Sequence, residues 1–161
     1  MLVFDATPLI YLAKARKLEE VEELEGEKLV PEEVYREVVE EGRGEPDAER
    51  IEKAVEEGIF EVVSAEIEGD SDFLSDADLQ VLKVAEERDA IAVMDEENGR
   101  NVADIRGIET RGTAFIVLRM QKRKVISEEE AKETVDSMID EGWYCSTDLY
   151  KEIMKKVEEL S

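Results

Sequence analysis

The sequence of 161 residues contains no histidine, and its single cysteine is Cys145. Without imidazole there can be no Ser-His-Asp or Cys-His nucleophile, no histidine acid-base ribonuclease and no histidine-bearing zinc centre. A lone cysteine excludes an intramolecular disulfide and a Cys-x-x-Cys metal knuckle, which fits a reducing cytoplasm. Carboxylates must therefore carry any catalysis.

Long apolar runs are also missing. The longest clean one, residues 114–118, is far shorter than the roughly 20 residues that a membrane helix requires. The amino terminus has no basic leader and reaches Asp5 at once, which makes a secretory signal implausible. We therefore expect a cytoplasmic protein that makes no contact with a membrane.

The chain is rich in acidic residues, with 44 Asp and Glu against 21 Lys and Arg and a formal charge of -23. This excess disfavours a generic binder of polyanions. The apolar content of 42% is enough for one ordinary core at this length. We predict a single domain over residues 1–161, with a core at about 1–125 and a C-terminal helical part at about 126–161.

Short apolar strands alternate with helical segments along the chain. Strands are predicted at residues 2–4, 29–30, 59–63, 90–94 and 108–110. Helices are predicted at residues 8–17, 31–41, 47–57, 75–88, 100–105, 113–121, 128–141 and 148–160. Thr7 is the predicted N-cap of the first of them, a turn is predicted at Asn98 and Gly99, and a polar loop is predicted at residues 68–72. This alternation predicts a three-layer α/β/α domain with a mostly parallel sheet and additional C-terminal helices.

Four acidic residues follow the strands or open the helices after them. Asp5 and Asp95 end two apolar strands, and Glu37 and Asp78 lie in the first two turns of later helices. Because ligands of open parallel sheets gather at the carboxyl ends of the strands, these side chains are expected to converge. Two alternatives stay open, since Asp78 can form a capping box with Ser75 and Glu37 lies about 60° outside the apolar arc of its helix.

Converging carboxylates would need a counter-charge. A pair about 4 Å apart repels by roughly 4 kcal/mol at an effective dielectric near 20, and a divalent cation relieves that repulsion. Oxygen ligands without His or Cys select magnesium or manganese over zinc. Such a cation activates water near neutral pH and screens the negative charge of a phosphodiester under attack.

Four segments together resemble a known family. They are Asp5-Ala-Thr-Pro-Leu-Ile, Val30-Pro-Glu-Glu-Val-Tyr-Arg-Glu37, the stretch from Leu74 through Asp78 to Ala85, and the stretch from Val93 through Asp95 to Ala103. In order and in element they are similar to the motifs of the PIN-domain family, metal-dependent ribonucleases that include many prokaryotic toxins of toxin-antitoxin pairs. Gly112-Thr113 and the ending at residues 136–150 look like one prokaryotic subgroup of that family.

The resemblance implies a sheet covered by helices, one or two Mg²⁺ or Mn²⁺ ions, and endonucleolytic cleavage of RNA that leaves a 5′-phosphate. It makes Asp5, Glu37, Asp78 and Asp95 the catalytic metal ligands, with Thr7 orienting Asp5 or a water, and Asp76 and Glu96 as auxiliary candidates. Glu96 stands where the family often has a second aspartate or a polar residue, so the ligand of a second metal stays open.

The function expected from this resemblance is a metal-dependent endoribonuclease, in which a metal-bound water attacks phosphorus. If the protein is a toxin, an antitoxin protein would mask its cleft, and the family usually forms homodimers. The main alternative is a non-catalytic PIN-like module that binds RNA or a protein, and a third is a DNA-cleaving or structure-specific nuclease. The apolar faces of the last two helices either complete the core or pair two copies.

Basic residues are concentrated in residues 100–124, which contain seven basic and two acidic side chains. Their net charge of +5 leaves -28 for the rest of the chain. We expect this segment to face the phosphates of RNA, with Arg100 nearest the metal ions. The alternative is that Arg119, Lys122 and Arg123 complement the negative pole of a helix end.

Overall fold

The computed structural model describes residues 1–69 and 73–161, so residues 70–72 of the predicted polar loop lie outside it. The strands of these residues are β1 Leu2–Phe4, β2 Lys28–Pro31, β3 Glu61–Val63, β4 Ile91–Val93 and β5 Thr110–Arg111. Their helices are α1 Ala6–Lys14, α2 Leu18–Val21, α3 Glu32–Tyr35, α4 Pro46–Glu56, α5 Asp76–Arg88, α6 Glu97–Ile105, α7 Thr113–Lys122, α8 Glu128–Asp140 and α9 Thr147–Glu159. A π-helical turn, Arg36–Glu40, continues α3.

The strands form one parallel sheet in the order β3-β2-β1-β4-β5. β1 is central and fully buried, and its Val3 pairs with Leu29 of β2 and with Ala92 of β4. Strands so short and so apolar are expected where helices cover both faces of a sheet. The predicted parallel sheet is confirmed.

Helices lie on both faces of this sheet. α5 packs against β1, β2 and β4, whereas α1 packs against α4, α7 and α8. The chain runs from β1 to β3 in one direction and then crosses back to β4, and right-handed crossovers in opposite directions place their helices on opposite faces. The three-layer α/β/α architecture follows from this topology.

The direction of the strand order reverses between β1 and β4. The backbone N–H of Asp5 donates to the carbonyl of Val93 at 3.0 Å, so the chain leaving β1 is tied to the end of β4. Ligands of open parallel sheets bind in the crevice at such a switch point. Asp5 and Asp95 are the residues that follow these two strands.

The first helix begins earlier than its sequence predicts. Asp5, with an extended backbone, is the N-cap of α1, and Thr7 lies inside the first turn, so the prediction of Thr7 as N-cap was wrong. Pro8 is accommodated there because the first four backbone N–H groups of a helix have no partner within it. A proline near a helix start therefore does not fix the first residue.

The predicted turn at Asn98 and Gly99 was also wrong, because both residues lie inside α6. Gly99 is buried, and a Cβ on it would come within 2.9 Å of Cε of Met94. The glycine packs against Met94 inside a helix and does not form a turn, a distinction that an Asn-Gly pair in a sequence does not reveal.

The C-terminal helices cover the rest of the domain. α8 packs against α7 and α1, and α9 packs against α8 and α7. Most of the apolar residues of these two helices belong to the core, which was one of the two expectations for them. The buried ones are Ala131, Val135, Met138, Ile153 and Val157. Among the helices of residues 1–69 and 73–161, none is long and apolar enough to cross a membrane.

Candidate active site

Asp5 is a buried carboxyl group at the switch point of the sheet, with 6% of its surface exposed. Its pKa is raised to about 8, mainly by burial and then by the nearby charge of Asp78, a hydrogen bond to the carboxyl group of Asp78 and the charge of Glu37. The backbone amide of Ala6 opposes this shift. Asp5 therefore holds a proton at neutral pH in the protein alone, and three of the four predicted carboxylates lie together.

Asp78 reaches this cluster from the first turn of α5, and it is also buried. It forms a capping box, in which its backbone N–H donates to Oγ of Ser75 at 3.1 Å and the N–H of Ser75 donates to its Oδ2 at 3.3 Å. The two interpretations of Asp78 therefore hold at once. The capping box fixes the carboxyl group that faces Asp5.

Glu37 lies in the π-helical turn, at the surface end of the cluster. Although the residue is exposed, desolvation raises its pKa, as do the charges of Asp78, Glu41 and Glu96. The amide of Glu41 bonds the carbonyl of Arg36 at 2.9 Å, the five-residue spacing of a π turn. Such turns are frequent at functional sites.

Asp95 lies on the same rim, but its carboxylate engages other partners. Its Oδ1 accepts a hydrogen bond from the backbone N–H of Thr113 at 2.7 Å. Its Oδ2 accepts one from Oγ1 of Thr113 at 2.7 Å and one from Nε1 of Trp143 at 3.1 Å. Asp95 therefore joins the end of β4 to the start of α7 and to the turn between α8 and α9.

Sequence reasoning missed three polar residues that hold the site. Thr113 was noted only as part of a motif, and Trp143 carried no signal beyond being the single tryptophan. Gln80 is buried; its Oε1 accepts from the N–H of Glu33 at 2.7 Å and its Nε2 donates to the carbonyl of Ala65 at 2.8 Å. It fixes the start of α3, and thus the approach of Glu37, against α5. A glutamine inside the apolar face of a predicted helix was the one signal available.

The remaining predicted site residues surround this cluster. Thr7 is half-buried in the first turn of α1, and Asp76 is exposed as the first residue of α5. Glu96 is the exposed N-cap of α6, and its charge raises the pKa of Glu37. Arg100 is exposed in the first turn of α6, where its backbone N–H donates to the carbonyl of Glu96 at 3.1 Å.

The basic residues of segment 100–124 do not form one wall. Arg106 makes a bidentate pair with Glu86 at 3.0 and 3.2 Å, at the far end of α6 from the rim. Arg119 and Lys122 lie in the last turn of α7, whose ten residues place that turn about 15 Å from its start. The alternative that basic residues complement the negative pole of a helix end therefore accounts for Arg119 and Lys122. Arg100 lies near the carboxyl edge of the sheet.

A family model described as a PIN domain matches residues 1–159. The chain belongs to the PIN-domain family. Members of this family are generally nucleases and typically use divalent metals. The resemblance seen in the four acidic motifs is thereby confirmed.

A solved structure agrees with this assignment of a PIN fold. A PilT N-terminus domain protein from the hyperthermophilic archaeon Sulfolobus solfataricus has a similar structure, with a TM-score of 0.55. Its sequence is 11% identical, and the match covers 74% of this chain and 93% of that chain. At this identity the likeness shows the fold alone. No curated protein matches the chain.

The donor set of this PIN domain fits a hard divalent cation. Asp5, Asp78 and Glu37 offer only oxygen, and the raised pKa of Asp5 reflects its burial first and then the neighbouring charges of Asp78 and Glu37. Within the described part of the chain, however, no three side chains of His, Cys, Asp or Glu are already arranged as a metal cage. The carboxylates thus suit magnesium or manganese, and binding would require them to close on the ion.

Proposed function

We propose that this PIN domain is a Mg²⁺- or Mn²⁺-dependent endoribonuclease. The observation that carries the proposal is the buried carboxyl pair of Asp5 and Asp78, with Glu37 beside it, at the switch point of a parallel sheet. Burying carboxyl groups against each other costs stability unless something compensates for their charge. A pair placed where α/β folds bind ligands is therefore better explained by function than by folding.

Asp5, Asp78 and Glu37 would hold the cation directly or through water, with Asp95, Asp76 and Glu96 on its periphery and Thr7 orienting Asp5 or a water. When bound, the cation supplies activation of water and screening of the phosphodiester charge. Asp5 must lose its proton before it can serve as a ligand, because only the carboxylate binds metal strongly. Burial keeps this group in a water-poor place, which strengthens its interaction with a cation.

Arg100 would contact a phosphate of the RNA. Its guanidinium has no ion pair among the described residues, while three other basic residues of the same segment are paired: Arg106 with Glu86, Arg111 with Glu109 and Arg123 with Glu25. A guanidinium without an ion pair at the rim of the sheet is available to a phosphate, which it can bind through charge-assisted hydrogen bonds.

A non-catalytic RNA- or protein-binding module is the second candidate. The three hydrogen bonds that Asp95 already accepts and the lack of a ready three-residue cage in residues 1–69 and 73–161 favour it. Such a module would keep the fold and bind RNA with no dependence on metal.

Cleavage of a labelled single-stranded RNA, with Mg²⁺, Mn²⁺ or chelator, separates the two candidates. We expect metal-dependent endonucleolytic products with 5′-phosphates, lost in Asp5→Asn and Asp78→Asn and retained in Asp104→Asn, a matched change at an exposed residue near the end of α6. No cleavage by the wild type, together with metal-independent RNA binding, would support the binding module. A DNA and structured-RNA panel tests the third alternative.

We also propose a cytoplasmic location and a homodimer, and an antitoxin partner in the event that the protein is a toxin. Tyr144 and Leu149 are exposed apolar residues near the start of α9 that a second copy could contact. Light scattering of the purified protein gives the oligomeric state, and growth arrest on expression of wild type but not of Asp5→Asn tests the toxin role.

A further inference from the structure

The carboxylate of Asp95 has little capacity left for a metal. An ionised aspartate offers about four lone-pair positions on its two oxygens. Oδ2 uses both of its positions on Oγ1 of Thr113 and Nε1 of Trp143, and Oδ1 uses one on the backbone N–H of Thr113. One position on Oδ1 remains. Asp95 can therefore offer a single contact, and its direction is set by the three donors.

Trp143 is held firmly enough to act as one of these donors. The residue is 5% exposed, and its backbone N–H donates to the carbonyl of Met138 at 2.9 Å, which closes the end of α8. Gly142 before it has a φ of +110°, and a Cβ there would lie 3.5 Å from Oη of Tyr11 in α1. The turn between α8 and α9 is thus packed on α1, and the indole reaches Asp95 from a fixed base.

We propose that Trp143 is a positioning residue of the active site, which saturates Oδ2 of Asp95 and leaves Oδ1 as its single oxygen with a free lone-pair position for a metal ion. The inference rests on the proposed metal-dependent function. Thr113 binds both oxygens and sets the plane of the carboxylate, and Trp143 prevents rotation that would exchange the two. The turn between α8 and α9 is accordingly part of the site, although it lies some 48 residues beyond Asp95.

Partners that orient a metal ligand through hydrogen bonds typically change metal affinity by about 10- to 100-fold when they are removed. Trp143→Phe removes the indole N–H and keeps an aromatic ring in the turn. Thr113→Val removes the hydroxyl that reaches the same oxygen and leaves the indole in place. Tyr150→Phe is the matched control, because the Tyr150 hydroxyl donates to Oδ1 of Asp136 at 2.8 Å, in the same C-terminal part but away from Asp95.

The test measures Mn²⁺ affinity by calorimetry for these variants and thermal melting in chelator for each. We expect Trp143→Phe and Thr113→Val to bind Mn²⁺ at least about tenfold more weakly than wild type, and Tyr150→Phe to bind it equally. If Trp143→Phe does not fold, Thr113→Val provides the same test. Wild-type affinity in a folded Trp143→Phe or Thr113→Val protein would overturn the inference.

The single tryptophan gives a second readout that needs no variant. Its indole touches Asp95 directly, so titration with Mg²⁺ should shift its fluorescence with the midpoint measured for binding. Binding by calorimetry without a fluorescence change would overturn the role of Trp143 and leave the proposed function standing. No binding of Mg²⁺ or Mn²⁺ to the wild type would overturn both.

Discussion

Asp5 and Asp78 are joined by a hydrogen bond between their carboxyl groups, in a buried pair at the centre of the sheet's carboxyl edge. Such a bond requires one proton, and burial and the neighbouring charges place it on Asp5, whose pKa rises to about 8. The protein without metal therefore resolves its like-charge conflict by protonation. A cation would resolve the same conflict by coordination, so proton and metal compete for one place.

The shared proton makes stability in chelator depend on pH. The pKa of Asp5 is about 8 in the folded protein against 3.8 for an ordinary aspartate, so between these values only the folded state keeps the proton. The contribution of this group to the free energy of unfolding is present at low pH and is lost as the pH rises from about 4 to about 8. The loss is at most about 1.4 kcal/mol per pH unit. Denaturant unfolding at pH values between about 5 and 8.5 should show this slope.

Asp5→Asn isolates that effect, because it removes the titrating group and leaves the large net charge almost unchanged. We expect the unfolding free energy of the variant, relative to that of the wild type, to rise by a few kcal/mol between about pH 5 and about pH 8. Asp76→Asn, which is exposed, should run parallel to the wild type. Parallel curves for wild type and Asp5→Asn would mean that Asp5 is already ionised.

Metal binding near neutral pH should release a proton. Because Asp5 is protonated there, each Mn²⁺ bound must displace about one proton, and affinity should rise with pH up to about 8. Calorimetry in two buffers with different ionisation enthalpies measures the number released. The release should vanish near pH 9.5, where Asp5 is already charged, and heats independent of buffer at pH 7 would contradict the prediction.

The sequence was sufficient to predict the fold and the proximity of three of the four acidic residues, Asp5, Glu37 and Asp78, because these depend on local pattern and strand order. Apolar strands ending in Asp5 and Asp95 and a capping box ending in Asp78 are short-range signals. Parallel strands bring their carboxyl ends to one rim whatever the details. The family followed from the same positions and was confirmed by the match over residues 1–159.

The sequence did not reveal how each carboxylate is used. The helical wheel put Glu37 outside the apolar arc, and the side chain is exposed as expected although the segment turns as a π-helix after Tyr35. A wheel does not show that this exposed carboxyl group lies near Asp78. The partners of Asp95 are 18 and 48 residues away, and no local pattern reports contacts at such separation. Helix starts at Ala6 and Glu97 were displaced because tertiary packing overrode the cues of Pro8 and Gly99.

Gln80→Leu should destabilise the protein by about 2–4 kcal/mol, because it leaves the N–H of Glu33 and the carbonyl of Ala65 without their partner. Gln121→Leu is the matched control. Gln121 is equally buried, but it makes one hydrogen bond, to the carbonyl of Val157, and its Oε1 has no partner in the described structure. Denaturant unfolding should show the larger loss for Gln80→Leu; equal losses would contradict a role in fixing α3 on α5.

Gly112→Ala should disturb the anchoring of Asp95. The φ of Gly112 is -89°, so alanine fits the backbone. Its Cβ, however, would lie 2.8 Å from Oδ1 of Asp95, and three hydrogen bonds hold the carboxylate of Asp95 in place. We expect a loss of about 1–3 kcal/mol in unfolding free energy and a change in Trp143 fluorescence.

Gly99→Ala is the comparison for this change, because its Cβ would meet only the flexible end of Met94 and alanine favours the helix by about 1 kcal/mol. Gly99→Ala should lower the free energy of unfolding less than Gly112→Ala does, and it should leave the fluorescence emission of Trp143 unchanged. Equal stability and emission for Gly112→Ala and the wild type would show that Asp95 can move away from Thr113 at little cost.

Arg100→Ala should weaken RNA binding and flatten its dependence on salt, because one phosphate contact releases about one counterion. Fluorescence anisotropy with a labelled single-stranded RNA, in chelator and at several salt concentrations, measures both. Lys122→Ala carries the same change in charge in the last turn of α7, away from the rim, so it should alter neither affinity nor slope by a comparable amount. If both variants weaken binding equally, the charge of the whole segment attracts RNA and Arg100 has no special place at the rim. If neither does, the phosphates approach from another side of the carboxylate cluster.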